Sequence, residues 1–482
     1  MVHVTDTAMT TDTTLGTWRE LLGRQYVWTC ILLTGGVALY AINEFLTFSL
    51  LPSTVAEIGG ERLYAWVTTM YLVGSVVTAT TVNAILMRLG ARSSYLLGLA
   101  VFGTGSLICA LAPSMEVLVA GRTLQGAAGG LLAGLGYAVI NAALPRPLWT
   151  RASALVSAMW GVATLVGPSA GGMFAQFGIW RWAFGSLVIL TAAMAVLVPV
   201  ALAVSRVDHS GAAPVMKVPV WSLLLLGAAA LAVSVAELPR NHLATGGLLV
   251  GGAILVRIFL SVDRRASAAA LPPSAYGSGP LKRIYVTMAL LMAAAMVDTY
   301  VPLFGQRLAH LSPVSAGFLG AALAVGWTVS EIVSASLSNP RVVARAVAAA
   351  PLVMAVGLAL DASTQQENAP PGIVAMWALA LLITGAGIGV AWPHMSAWAM
   401  EAVDDPSEGG AAAAGINTVQ LISGAFGAGL AGVVVNAAEG GAVVAARSLF
   451  AVFVVLATAG APASYRATRA KRAGLEPSCP SA

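Results

Sequence analysis

Charge is scarce in this 482-residue chain. Asp, Glu, Lys and Arg make up 9% of it, against about 25% in an ordinary soluble domain. Twenty acids and 25 bases cannot coat the roughly three globular domains that a soluble chain of this length would form. Cysteine is nearly absent. Cys30, Cys109 and Cys479 are odd in number and follow no spacing pattern, which argues against a disulfide framework and a thiolate metal site. Five His without ligand spacing, no phosphate-binding loop and no nucleophile–base pair at motif spacing leave no basis for an enzyme, a bound cofactor or an ATP-driven machine. The 51 glycines lack the three-residue period of collagen. No loop exceeds roughly 25 residues, too short for an added soluble domain.

What is abundant is apolar. Hydrophobic residues are 58% of the chain and the mean hydropathy is +0.84, which points to an all-α polytopic membrane protein. A spanning helix needs about 20 mostly apolar residues. Fourteen candidate spans fall near 28–51, 64–86, 93–112, 118–143, 152–176, 182–204, 219–237, 244–261, 284–306, 314–337, 344–361, 372–397, 410–436 and 444–464. Two of them, 219–237 and 244–261, are short, and Pro351 interrupts 344–361. Residues 1–25 are polar, and the apolar run after them is too long for a signal peptide. With the N-terminus inside, all Lys and Arg except Arg62, Arg122, Arg181, Arg240, Arg307 and Arg447 fall on the cytoplasmic side. That bias predicts an even number of spans, both termini in the cytoplasm and a multi-pass protein of the cell membrane. The net charge of +5 then reflects inside-positive loops, not a nucleic-acid footprint.

The polar stretches 205–218 and 262–283 bracket a short hairpin, with six spans before it and six after. The expected organisation is a tail at 1–27, a six-helix bundle at 28–204, loops and a two-helix linker at 205–283, a second six-helix bundle at 284–464, and a tail at 465–482. Repeated halves are a common plan among secondary transporters. Glu44 with Pro52 in span 1 echoes Asp298 with Pro302 in span 9.

Ionisable residues inside a span are costly and mark function by default. Glu44 shares a polar stripe with Asn43 and Thr47. A carboxyl group there offers a place to bind and release a proton; the alternative is a structural tie to a neighbouring helix. Asp298 carries the same two readings. Glu331 sits among Thr328, Ser330, Ser334 and Ser336, either lining a wet cavity or reaching cytoplasmic water. Arg122 cannot deprotonate, so in a bundle it must pair with a carboxylate or with carbonyls. Tyr71, Gln125, Tyr137, Asn141, Trp392, Asn417 and Gln420 are further candidates for a cavity lining. Gly161, Gly167, Pro168, Gly171 and Gly172 punctuate span 5, where small residues allow close helix approach and Pro168 allows a kink, as a gate requires.

Several of these segments resemble one family. Gly167-Pro168 followed by Gly171-Gly172, then Trp180-Arg181-Trp182, is similar to the antiporter motif of span 5 in the drug/proton antiporter branch, with fourteen spans, of the major facilitator superfamily. Leu118 to Gly130 resembles that family's span 4 motif, with Arg122 at its arginine. Leu51-Pro52, Trp66 with Tyr71-Leu72, and Pro302 to Gly317 resemble other parts of the branch. In the loop between spans 2 and 3, Arg88, Gly90 and Arg92 match the family motif, but Asn83 stands for its glycine and Met87 for its acid.

The resemblance implies two six-helix bundles that rock around a central cavity. It also implies proton-coupled export of small amphiphilic or hydrophobic compounds, as in multidrug efflux and antibiotic resistance, by a monomer in the lipid bilayer. Glu44, Asp298 and Arg122 would couple protons to a small-molecule substrate. Met87 favours an alternative within the same fold, a lipid or metabolite transporter without proton coupling.

Overall fold

The computed structural model describes residues 17–79, 81–145, 148–202, 219–236, 238, 241–266, 269–277, 279–337, 339–403 and 409–473. Of the expected tails at 1–27 and 465–482, residues 1–16 and 474–482 lie outside the described residues, as does the loop 205–218.

The described chain is helical from end to end. Its helices are α1 (Trp18–Leu21), α2 (Val27–Ile58), α3 (Tyr64–Ala79), α4 (Val82–Ala110), α5 (Met115–Ala138), α6 (Ile140–Ala143), α7 (Trp149–Gln176) and α8 (Trp180–Ala201) in the first half. A hairpin of α9 (Val220–Val235) and α10 (His242–Asp263) follows. The second half holds α11 (Pro280–Ala295), α12 (Val301–Ala309), α13 (Pro313–Ala335), α14 (Pro340–Thr364), α15 (Pro371–Glu401), α16 (Gly409–Ala437), α17 (Ala442–Ala459) and α18 (Ala461–Ala473). Among the described residues, ten helical segments are long and apolar enough to cross a membrane, and α9 is a shorter apolar helix. Residues exposed on α10, such as Leu243, Val250 and Ile254, are apolar, as expected where lipid replaces water.

Helix breaks differ from expectation in three places. Pro351 does not interrupt its span, because α14 runs through it. Ring strain there is absorbed inside a packed helix, as membrane bundles tolerate. Span 9 is the broken one. α11 ends at Ala295, a 3₁₀ turn covers Met296–Tyr300, and α12 resumes with Pro302 in its first turn. Pro302 has no N–H to donate backward, so the tighter turn precedes it and a fresh helix starts at it. Asp298 lies in that turn. α4 bends sharply at Gly90, whose φ of 74° is open to glycine and costly to residues with a Cβ. The loop between spans 2 and 3 is therefore reduced to one residue at positive φ, and Ser94 Oγ donates to the Gly90 carbonyl at 2.7 Å.

Within the first half, α2 packs on α5, α7 and α8, and α4 fits between α5 and α8. In the second half, α15 packs on α13 and α14, α17 on α14, and α11 on α16 and α18. Two backbone approaches define the halves. Gly126 of α5 lies against the Tyr71 carbonyl of α3, and Gly385 of α15 lies against the Leu323 carbonyl of α13, so closely that a Cβ at either would collide with backbone. The halves meet along α7–α13 and α3–α16. α9 covers the second seam, touching α3 and α16, with Trp66 Nε1 donating to the Ser234 carbonyl at 2.9 Å.

Candidate functional site: a carboxylate-lined cavity between the halves

A cavity of about 310 Å³ lies between the halves. α2 contributes Tyr40, Glu44, Phe45 and Phe48, α3 contributes Leu72, and α7 contributes Trp160 and Thr164. The second half contributes Met292, Ala295, Met296 and Asp298, then Leu323, Ala324, Trp327, Thr328 and Glu331 of α13, Trp392 of α15, and Gln420 and Leu421 of α16. The three acids singled out in the sequence thus face one space. Glu44 and Asp298 are 7% and 5% exposed, and each lies within electrostatic range of the other. Among the described residues, no Lys, Arg or His lines it. Trp327 and Trp392 lie 5.4 Å apart by ring centroid, and Trp160 stands edge-on to Tyr40 at 5.6 Å. Flexible Met292 and Met296 add an adaptable apolar wall.

Arg122 stands behind this wall, fully buried. It pairs with no carboxylate. Its Nε donates to the Val67 carbonyl at 3.4 Å, its Nη1 to Gln125 Oε1 at 3.0 Å, and its guanidinium lies 3.9 Å from the Tyr71 ring centroid. Gln125 Nε2 donates to Ser106 Oγ at 2.8 Å, Tyr71 Oη donates to the Tyr40 carbonyl at 2.8 Å, and the Tyr40 and Tyr71 rings stack at 5.3 Å. A continuous network therefore joins Arg122 to Tyr40, a residue of the cavity wall. Glu44 is within electrostatic range of Arg122. Asn43 and Thr47 are buried on α2, and Thr47 Oγ1 donates to the Asn43 carbonyl at 2.6 Å.

Other candidates are placed elsewhere. Asn417 is exposed and outside the cavity lining, although Gln420, three residues on, lines it. The side chains of Tyr137 and Asn141 are outside the described ones. Arg88 is exposed and Arg92 is half-buried, flanking Gly90; Met87 is 41% exposed. Gly161 faces Thr328 of α13, which lines the cavity. Gly167 and Gly171 press on Phe45 and Leu46 of α2, and Gly172 meets Val314 at the start of α13. The Pro168 carbonyl lies against Gly317. The span 5 motif is thus the surface on which α7 closes against α13.

The same end of the molecule carries pairings that the sequence reading did not single out. Arg307 Nη2 and Glu61 Oε1 pair at 2.6 Å across the halves. Tyr64 stacks on Tyr300 at 4.7 Å, also across the halves. Glu57 accepts from Trp180 Nε1 at 2.6 Å and pairs with Arg181, whose Nη2 donates to the Ala112 carbonyl at 3.1 Å. The signal available was a set of acids and bases on the base-poor side, where every charge lacks the topological role that explains the others.

Two helical halves around a buried central cavity define a membrane transporter rather than an enzyme. Residues 33–428 match the Major Facilitator Superfamily, and the chain belongs to it. A protein of Mycobacterium tuberculosis (strain H37Rv) named probable multidrug-efflux transporter is 69% identical over 472 residues, covering 97% of this chain and 99% of that one. The multidrug transporter protein MdtP of Bacillus subtilis is 24% identical, covering 83% and 73%. Among solved structures, the D-xylose-proton symporter superposes with a TM-score of 0.62 at 15% identity, covering 92% of this chain and 97% of that one. An inward-facing bacterial homologue of the human lysosomal transporter Spinster gives 0.60 at 14%, covering 93% and 98%. These two likenesses concern the fold.

Proposed function

We propose that the protein exports small amphiphilic compounds, with a preference for cationic ones, by proton-coupled alternating access. The observation that carries this reading is the lining: three carboxylates, no base, and aromatic walls. Carboxylates and aromatic faces both attract a hydrophobic cation, and the same acids offer places for protons that compete with it. Arg122 is a positioning residue, holding Tyr71 and Tyr40 and biasing the field at Glu44. The chain crosses the membrane fourteen times, with both termini in the cytoplasm and α9–α10 as a two-helix linker between bundles 28–204 and 284–464. The structure is then the state closed at the Glu61–Arg307 end, and rocking of the halves about the cavity exchanges it for one open there. The name of the 69% identical relative supports the export of several drugs.

Purified protein in liposomes with an imposed pH gradient tests the reading. Accumulation of a cationic dye should follow the gradient and collapse in Glu44→Gln and Asp298→Asn. Met87, where the family's loop motif has an acid, favours a second reading: a facilitator of the same fold without coupling. Flux that ignores the gradient, and survives both substitutions, would select it.

A further inference from the structure

A further buried acid without a partner lies away from the central cavity. Asp361, near the end of α14, is 0% exposed, and neither carboxylate oxygen has a hydrogen-bond partner among the described residues. It lines a pocket of about 10 Å³ built wholly from the second half, with Phe304 and Gly305 of α12, Trp377 of α15, Phe450 of α17 and Gln365. Gln365 Oε1 and Trp377 Nε1 are likewise without partners there. That volume admits at most one water, so solvent cannot stabilise an anion. Arg447 of α17 directs Nε and Nη2 to the Gln365 backbone carbonyl, at 3.1 and 2.8 Å. On the other packed elements, Arg307 of α12 is turned to Glu61, α13 and α15 present only uncharged residues to the pocket, and the basic residues of α18 lie toward the opposite end, where Ser464 binds the Val347 carbonyl. Among the described residues, no cation pairs with Asp361.

An isolated carboxylate in such a place costs several kcal/mol, and a proton removes that cost. We infer that Asp361, with Gln365 and Trp377 as the polar groups of its pocket, is a second proton-binding site, confined to the C-terminal half and separate from the substrate cavity. α12 stands between this pocket and the gate: Gly305 and Phe304 line the pocket, and Arg307 two residues on holds Glu61. Water reaches Asp361 when α12 moves, so release of its proton is tied to opening of that end. The bound proton stands whether or not transport is proton-driven; its tie to opening rests on the alternating-access reading.

Infrared difference spectra of the full chain in lipid nanodiscs, wild type against Asp361→Asn, test the site. The expected result is loss of one protonated-carboxyl C=O stretch, shifted in D₂O, and its persistence in a Glu44→Gln, Asp298→Asn background. Loss of ionised-carboxylate bands instead would overturn the inference. Should the Asn variant fail to fold, Asp361→Glu must move the same band, and an unmoved band overturns the inference equally. The tie to opening is read separately. A double Glu61→Cys, Arg307→Cys protein, crosslinked to hold this end closed, should lose deuterium exchange at the Asp361 band; exchange at the uncrosslinked rate would remove the tie and leave the proton site.

Discussion

Tyr64 and Tyr300 stack with ring centroids 4.7 Å apart, although one begins the second spanning segment of the first half and the other ends the 3₁₀ turn that carries Asp298. The ring contact and the site acid are therefore parts of one turn. Under the proposed alternating access, motion at this end would reach Asp298 through two residues of backbone.

Breaking the neighbouring ion pair should shift the gate only modestly. Arg307 and Glu61 side chains are 42% and 53% exposed, and such pairs contribute at most about 1 kcal/mol, less at physiological salt. Arg307→Ala is expected to change the ratio of closed to open states by no more than about fivefold. Distance measurements by spin labels at this end would read it, and the charge-swapped pair should restore the original ratio.

Arg122→Lys should abolish transport while leaving the protein folded. An ammonium cannot reach Val67 and Gln125 together while lying flat over Tyr71. Transport is expected to fall at least about tenfold, with thermal melting in detergent changed far less than by Arg122→Leu.

Gly126→Ala and Gly385→Ala should destabilise the two halves separately. Each added methyl meets a backbone carbonyl, and overpacking of this kind costs about 1–3 kcal/mol. Thermal unfolding followed by thiol labelling of buried Cys109 should respond to Gly126→Ala, because Cys109 of α4 packs against Gly121 of α5, the helix that carries Gly126, and should respond less to Gly385→Ala.

Trp327→Ala should separate cationic from neutral ligands. A cation over an indole gains about 0.5–2 kcal/mol, so binding of a cationic dye should weaken up to roughly 30-fold while a neutral compound of similar shape weakens less. Equal losses for both would mean that Trp327 acts by shape alone.

Much of the site was legible because a charge inside an apolar run stands out. Glu44 lies more than 250 residues before Asp298 and Glu331, yet each acid interrupts such a run, and the fold turns all three to one cavity. Asp361 was not legible, because the sequence after it turns polar through Thr364, Gln365 and Gln366 and reads as a helix end meeting water. The break at Met296–Tyr300 was hidden for a different reason. Pro302 was visible, but a proline can kink a helix, be absorbed by it as Pro351 is, or start a new one, and packing decides among these. Pairings such as Glu61 with Arg307 depend on how two halves meet, which no local pattern encodes.

Glu57 and Glu61 stand four residues apart, on either side of the helix break at Gly59 and Gly60, and serve different masters. Glu57 is held by Trp180 and Arg181 of its own half, and Arg181 is in turn anchored to the Ala112 carbonyl. Glu61 reaches to Arg307 of the other. In the proposed alternating-access cycle, the first pair would be a fixed doorpost and the second a removable bolt beside it, so that drawing the bolt would leave the post upright for the next closure.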